Sequence, residues 1–574
     1  MWKQLLHTEQ TAVTLNHNNS NFYLAENGFE DPLSELEATI RAFSQTPKRQ
    51  CQFPARKRFI EKHIPSISFP DVACPKYQEY LNTFSTHSAS LIFASGYLGN
   101  PASMFGHVFL KFNGESADGL LDNTFSYGAK VPDNENKLVY ITKGILGGYQ
   151  GKFSNQQYHH HHLTYSETEL RDMWEYKLAL SQHDIQFLLA HLWELENATM
   201  TYYFFEQNCA YQLAKLLSLV FDEPLIAPNK VWVMPFDLVV MMQRHQSSRP
   251  MFNEVIYHGS RQQTLYDRWQ QLTDKEQQTL LQILKSEPED TQAKLTALGG
   301  ASAIRVIDTL YDYFAFIEQK EDDLTTIQQA QKRQAMIKRF AMAPVKPNWK
   351  SVDRRPPHEA QDTTRIGLGL YDTPSGDVAG ELNFRANYYD LLTLNAGRIP
   401  YSELTTFNLR LRYLEGEGLA VKEFTPVRII NLNASESGLP LDSNWAWKLA
   451  FGYREQANNC THCGAGYIDS FIGKSWAFHH NLVGYAALST SITSSNLNGG
   501  FIAVGSEVGG VAHVTSEIAM SLAVGQQWFV NQPSKDQHYL SITARYSINQ
   551  RWDVRANIDN KHGTDFGLLI SHYY

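Results

Sequence analysis

No run of 18 or more apolar residues occurs in this 574-residue chain, which excludes a transmembrane helix. Basic excess is missing too. The chain has 50 Lys+Arg against 59 Asp+Glu, a formal charge of -9 and no Lys/Arg run, a balance that argues against nucleic acid as a partner. Cysteine is scarce: Cys51, Cys74, Cys209, Cys460 and Cys463 are the only five. Cys460 and Cys463 form a CTHC in a turn-like stretch, yet neither a thioredoxin-like setting nor a second ligand pair for zinc lies nearby. The reading that remains is two disulfides, Cys51 with Cys74 and Cys460 with Cys463, in an oxidising compartment, with Cys209 as the odd thiol. That compartment requires export, and the opening MWKQLLHTEQ has neither an apolar h-region nor a cleavage site. The expectation is an exported protein whose signal peptide is absent from this sequence.

What is present from Arg365 onward is period-two alternation in segments of about ten residues. In GELNFRANYYD, Leu382, Phe384, Ala386 and Tyr388 share one face, and Glu381, Asn383, Arg385 and Asn387 the other. FNLRLRY and NWAWKLAFGYR repeat the pattern. About twelve such segments reach Tyr574, separated by turns rich in Asn, Gly, Ser and Asp. A soluble sandwich or lipocalin-like barrel has the same period, but its second face would carry small core residues rather than Arg, Lys, Glu and Asn. An antiparallel transmembrane β-barrel of about 12 strands fits better, apolar outside and polar within. Its partners would then be outer-membrane lipid and, during biogenesis, the barrel-assembly machinery.

The rest of the chain is mixed α and β. Residues 1–85 form an N-terminal accessory module with a helix at DPLSELEATIRAF. Residues 86–230 hold short strands at SLIFASGYL, HVFLKF, NTFSYGA and KLVYITKG, then helices opened by capping-box-like pairs at Ser166/Glu169 and Ser181/Asp184. Residues 231–345 read as helical, 346–363 as a proline-rich linker, and 364–574 as the barrel.

Cys209 precedes Leu213, Leu216, Leu217 and Val220, which lie on one helical face, so its thiol sits at a helix start. There unpaired N–H groups and the helix dipole stabilise a thiolate. The chain also offers a base, His107, in PASMFGHVFLKF. Taken singly, a buried cysteine and a strand histidine are more often core residues than catalysts. HHHH at 159–162 reads as a solvated loop rather than a metal site, and no cofactor is expected. Tyr202, Tyr203, Phe204 and Phe205 either pack the Cys-bearing helix or line an acyl-chain groove.

A strand histidine followed about a hundred residues later by Asn-Cys at a helix start resembles the circularly permuted papain-like cysteine enzymes, including relatives of the NlpC-type peptidases. PASMFGHVFLKF, KGILGGYQGKF, LRDMWEYKL and YYFFEQNCAYQL resemble the blocks of the Lnb N-terminal periplasmic domain family, named after a lipoprotein N-acyltransferase. That resemblance covers residues 85 to 225 and implies Cys209 as nucleophile and His107 as general base. Asn208 would assist an oxyanion hole or cap the helix, and Ser126 or Tyr127 would orient the histidine. The fold class expected is an α+β periplasmic domain with a permuted papain-like Cys-His core and helical accessory segments, followed by the barrel. The function implied is acyl transfer or acyl hydrolysis on lipids or lipoproteins through a Cys209 thioester. A peptidoglycan amidase or endopeptidase is one alternative. A non-catalytic outer-membrane channel or scaffold is the other.

Overall fold

A computed structural model describes residues 1–8, 22–84, 86–101, 103–114, 119–132, 134–221, 223–227, 230–245, 249–352, 354–456, 463–479, 481–495, 500–530, 536–561 and 563–574. The chain divides into two units, Met1–Ser260 and Arg261–Tyr574.

The first unit is organised by an antiparallel sheet of β1 (Ser88–Ala94), β2 (His107–Asn113), β3 (Asn123–Ala129), β4 (Tyr149–Gln157), β5 (Met173–Leu178), β6 (Met200–Tyr202) and β7 (Phe252–His258). Their order across the sheet is β6-β4-β3-β2-β1-β5-β7. β1 and β2 are buried on both faces, which explains why their sequences are nearly continuous apolar runs. Around the sheet lie α1 (Trp2–Leu5), α2 (Pro32–Gln45), α3 (Pro54–His63), α4 (Pro75–Asn82), α5 (Lys137–Leu146), α6 (Tyr158–His162), α7 (Gln182–Leu195), α8 (Cys209–Leu217) and α9 (Pro235–Arg244). The Ser181/Asp184 capping box opens α7, with the Asp184 N–H donating to Ser181 Oγ at 3.2 Å.

Three expectations are corrected here. KLVYITKG is the helix α5 rather than a strand: Tyr140 and Gly144, one helical turn apart, both face the Phe204 ring. Ser166 and Glu169 open no helix; Leu163–Thr168 is a π-helical turn, and LRDMWEYKL continues into the strand β5 between β1 and β7. A six-residue strand buried on both faces is too short to be told from a helical segment by periodicity alone. HHHH is helical in α6, with His161 buried rather than solvated. The Cys51–Cys74 disulfide is present. Cys463 is disulfide-bonded as well, and Cys460 lies outside the described residues.

In the second unit, α10 (Arg261–Gln271), α11 (Asp274–Leu284), α12 (Asp290–Leu298), α13 (Gly300–Glu321) and α14 (Thr326–Phe340) precede a closed barrel of twelve antiparallel strands from Arg365–Asp372 to Asp565–Tyr573. Tyr266 on α10 donates to Asp442 Oδ1 at 2.9 Å and thereby joins the helices to a barrel connection. The alternation has the expected sense: Glu381, Asn383 and Arg385 are buried while Leu382 is exposed. Leu370 is 64 % exposed and Leu488 71 %, so the outer wall is apolar. Trp445, Trp476, Trp528 and Trp552 are exposed as well, an aromatic content characteristic of membrane interfaces. Among the described residues no helix is long and apolar enough to cross a membrane.

Candidate active site

Asn208 is the N-cap of α8, and the N–H groups of Ala210 and Tyr211 donate to its Oδ1 at 3.0 and 3.1 Å. Its Nδ2 donates to the carbonyls of Phe204 and Val233 at 3.0 and 2.8 Å. All the polar groups of this buried side chain are thus committed to holding the helix start in place. The alternative left open by the sequence resolves in favour of capping.

Cys209 follows at the first helical position, 3 % exposed, and is the free cysteine among the described residues. Its sulfur faces the backbone N–H groups of Val108, Ala210 and Cys209 itself, with the Arg171 charge nearby. Burial outweighs these and pushes the thiol up to about 11. Burial thus opposes the thiolate that the helix start favours.

His107 opens β2, and its Nε2 shares a 2.9 Å hydrogen bond with Ser126 Oγ on β3. Burial, then Arg171 and His161, push its pKa down to about 3, so the ring is neutral at physiological pH. Of the two candidate orienting groups the structure brings Ser126 to the histidine. Tyr127, the next residue on the strand, points elsewhere and stacks on Tyr202 at 5.8 Å. No hydrogen bond joins Cys209 to His107 among the described residues. The thiol contacts the N–H of Val108, the residue after the histidine.

Two groups escape a reading of the sequence. Arg171 is 2 % exposed, lies 4.5 Å over the Tyr165 ring, pairs with Glu169 at 2.8 Å, and donates to the carbonyl of Ala94 at 3.2 Å. His161 stacks on Phe109 at 4.2 Å and on Tyr165 at 5.7 Å, and burial pushes it down to about 4. His107 lies against the same Tyr165 in a tilted arrangement at 5.8 Å, so both imidazoles and the guanidinium meet around one ring. A lone arginine carries no signal in sequence, and only one of four adjacent histidines turns inward. Among the described residues no three His, Cys, Asp or Glu side chains converge as a metal site. The arrangement offers a thiol with N–H donors beside it and a neutral imidazole held by Ser126.

Residues 76–243 match the family model described as the Lnb N-terminal periplasmic domain. Residues 354–573 and 1–63 match two further models, each described as a domain of unknown function. No curated protein matches. Solved structures similar to the chain include the NanC porin, at 8% identity over 37% of this chain and 99% of that one, with a TM-score of 0.24. An outer membrane channel from Pseudomonas putida F1 matches at 12% identity over 40% and 100%, TM-score 0.24. The outer membrane protein Omp33 of Acinetobacter baumannii matches at 9% identity over 38% and 100%, TM-score 0.21. At these TM-scores the likenesses carry no argument. The closed barrel with its apolar outer wall, together with the periplasmic domain match, places the protein in the outer membrane with a periplasmic domain.

Proposed function

We propose that Cys209 and His107 carry out acyl transfer in the cell envelope on a lipid or lipoprotein substrate. The observation that supports this reading is a thiol at a capped helix start, beside the backbone N–H of Val108, the residue that follows a neutral imidazole held by Ser126. His107 takes the thiol proton as the sulfur attacks a carbonyl, because a neutral pair transfers its proton during attack rather than before it. Asn208 already occupies the N–H groups of Ala210 and Tyr211, which leaves those of Cys209 and Val108 to receive the oxyanion. Collapse of the tetrahedral species expels the leaving alkoxide or amine, protonated by His107, and leaves a thioester on Cys209. An amine or water then takes the acyl group. The barrel in the same chain confines this chemistry to the neighbourhood of the outer membrane, where acylated substrates are concentrated.

The test is labelling of the detergent-purified protein with a lipid-like acyl probe, followed by intact mass. Probe mass on the wild type, none on Cys209→Ala and slow labelling of His107→Ala are expected. A Cys209 that stays unlabelled by the probe and by small thiol reagents alike would remove the enzyme reading and leave an outer-membrane channel or scaffold. Soluble muropeptides released from purified sacculi would redirect it to a peptidoglycan amidase.

A further inference from the structure

The strongest uncommitted chemistry lies inside the barrel, at the end where its first strand begins and its last strand stops. Arg365, Arg385 and Arg555 all reach one oxygen of Asp390, at 3.1, 2.8 and 3.0 Å. The other oxygen of Asp390 is fixed by its own turn, accepting from the Leu392 N–H at 3.1 Å and from Thr393 Oγ1 at 3.0 Å. One carboxylate does not neutralise three guanidiniums. Asp553 serves Arg555 at 3.1 Å, and the neighbouring carboxylate Glu403 is matched by Arg428 at 3.8 Å. Donors are left over. Arg385 is 1 % exposed and Arg365 6 %, yet Arg385 Nη2 and Arg365 Nε have no hydrogen-bond partner among the described residues. Arg365, Arg385, Asp390 and Arg555 line a polar cavity of about 470 Å³ within the barrel.

Buried guanidinium N–H groups without acceptors are costly, and their fork geometry fits the oxygens of phosphate or carboxylate. We propose that this tri-arginine cluster is an anion-binding site of the barrel lumen, taking the phosphate or carboxylate group of a ligand, with Asp390 as its tethered internal competitor. Asp390 is the chain's own example of the ligand: a carboxylate held by three arginines. An entering anion takes up the free donors and shares or replaces that carboxylate. The site is independent of the Cys209 chemistry and stands or falls without it.

The experiment is calorimetric titration of the detergent-purified full-length protein with inorganic phosphate at constant ionic strength, chloride being the replaced anion. Saturable binding is expected, weakened at least tenfold in Arg385→Gln and strengthened in Asp390→Asn, which removes the competitor and not the arginines. Heat-modifiable migration on a gel verifies that each barrel is folded. Should Arg385→Gln fail to fold, the opposite sign expected of Asp390→Asn still decides. Absence of saturable binding, or phosphate binding that neither substitution changes, overturns the proposal. A parallel titration with a soluble short-chain phosphatidic acid separates the sources. Equal affinity supports a site that reads the phosphate group alone, and tighter binding supports a lipid headgroup.

Discussion

Asn208 and Cys209 are neighbours with opposite tasks, and each is exposed to test by one substitution. Asn208→Ala removes two accepted and two donated hydrogen bonds from a buried helix start. An expected loss of about 2 to 4 kcal/mol follows from a lost cap plus stranded carbonyls. Denaturant unfolding followed by near-ultraviolet circular dichroism measures it, and Asn208→Asp recovers the cap alone. For Cys209 the raised pKa means that little thiolate exists at neutral pH. Alkylation at pH 8 is expected to run about two orders of magnitude slower than for an ordinary thiol, and to climb until about pH 11. Linkage has a definite sign here. A group whose folded pKa lies above its unfolded one stabilises the fold below the unfolded value, and that contribution is lost as pH rises through about 11. Alkylation kinetics that level off near pH 7 would instead mean an ion pair with His107.

Among the elements, the N-terminal module is joined to α7 by a buried polar knot. Arg56 on α3 reaches Glu35 on α2 at 2.7 Å and lies between the rings of Phe22 and Phe53, at 4.4 and 4.3 Å. Glu194 on α7 accepts from the N–H groups of Ala55 and Arg56 at 2.7 and 2.9 Å. Arg56→Ala strands Glu35 in the interior, an expected cost of about 3 to 5 kcal/mol. Thermal unfolding should show the module melting early, and Arg56→Lys should not rescue it, since an ammonium cannot stack as the guanidinium does. None of this is legible in the sequence, because partners separated by 21 and 138 positions leave no local signal. What is legible follows the same logic in reverse. β2 stands out as an apolar run, and its expected neighbour β3 offered Ser126 and Tyr127 without deciding between them. KLVYITKG and LRDMWEYKL mislead because each is too short to fix a period, so the choice between helix and strand falls to the neighbours: Phe204 for the first, β1 and β7 for the second. The placement of Arg171 and the inward turn of His161 are likewise set by Tyr165 and Phe109, from other parts of the chain.

At the scale of the whole molecule the barrel is the part most fully written in the sequence. In twelve strands one face repeats apolar residues and the other polar ones, and the period admits only two closures, apolar inward or apolar outward. The fold takes the second: Arg385, Glu507 and Arg555 are buried in the lumen, and Leu488 stands 71 % exposed in the middle of its strand. The two closures make opposite demands on Leu488. In a barrel surrounded by water, a charge there relieves an exposed apolar side chain and costs nothing. In a barrel surrounded by hydrocarbon, an arginine at mid-strand costs about 2 to 4 kcal/mol, falling toward the interfaces. Leu488→Arg is therefore expected to lower the urea midpoint of the barrel refolded into lipid vesicles, while Leu488→Phe leaves it near the wild type and Trp552→Arg, at a strand end, costs less. The order of the three separates a lipid-facing wall from a water-facing one: a Leu488→Arg barrel as stable as Leu488→Phe would mean that this wall meets no lipid.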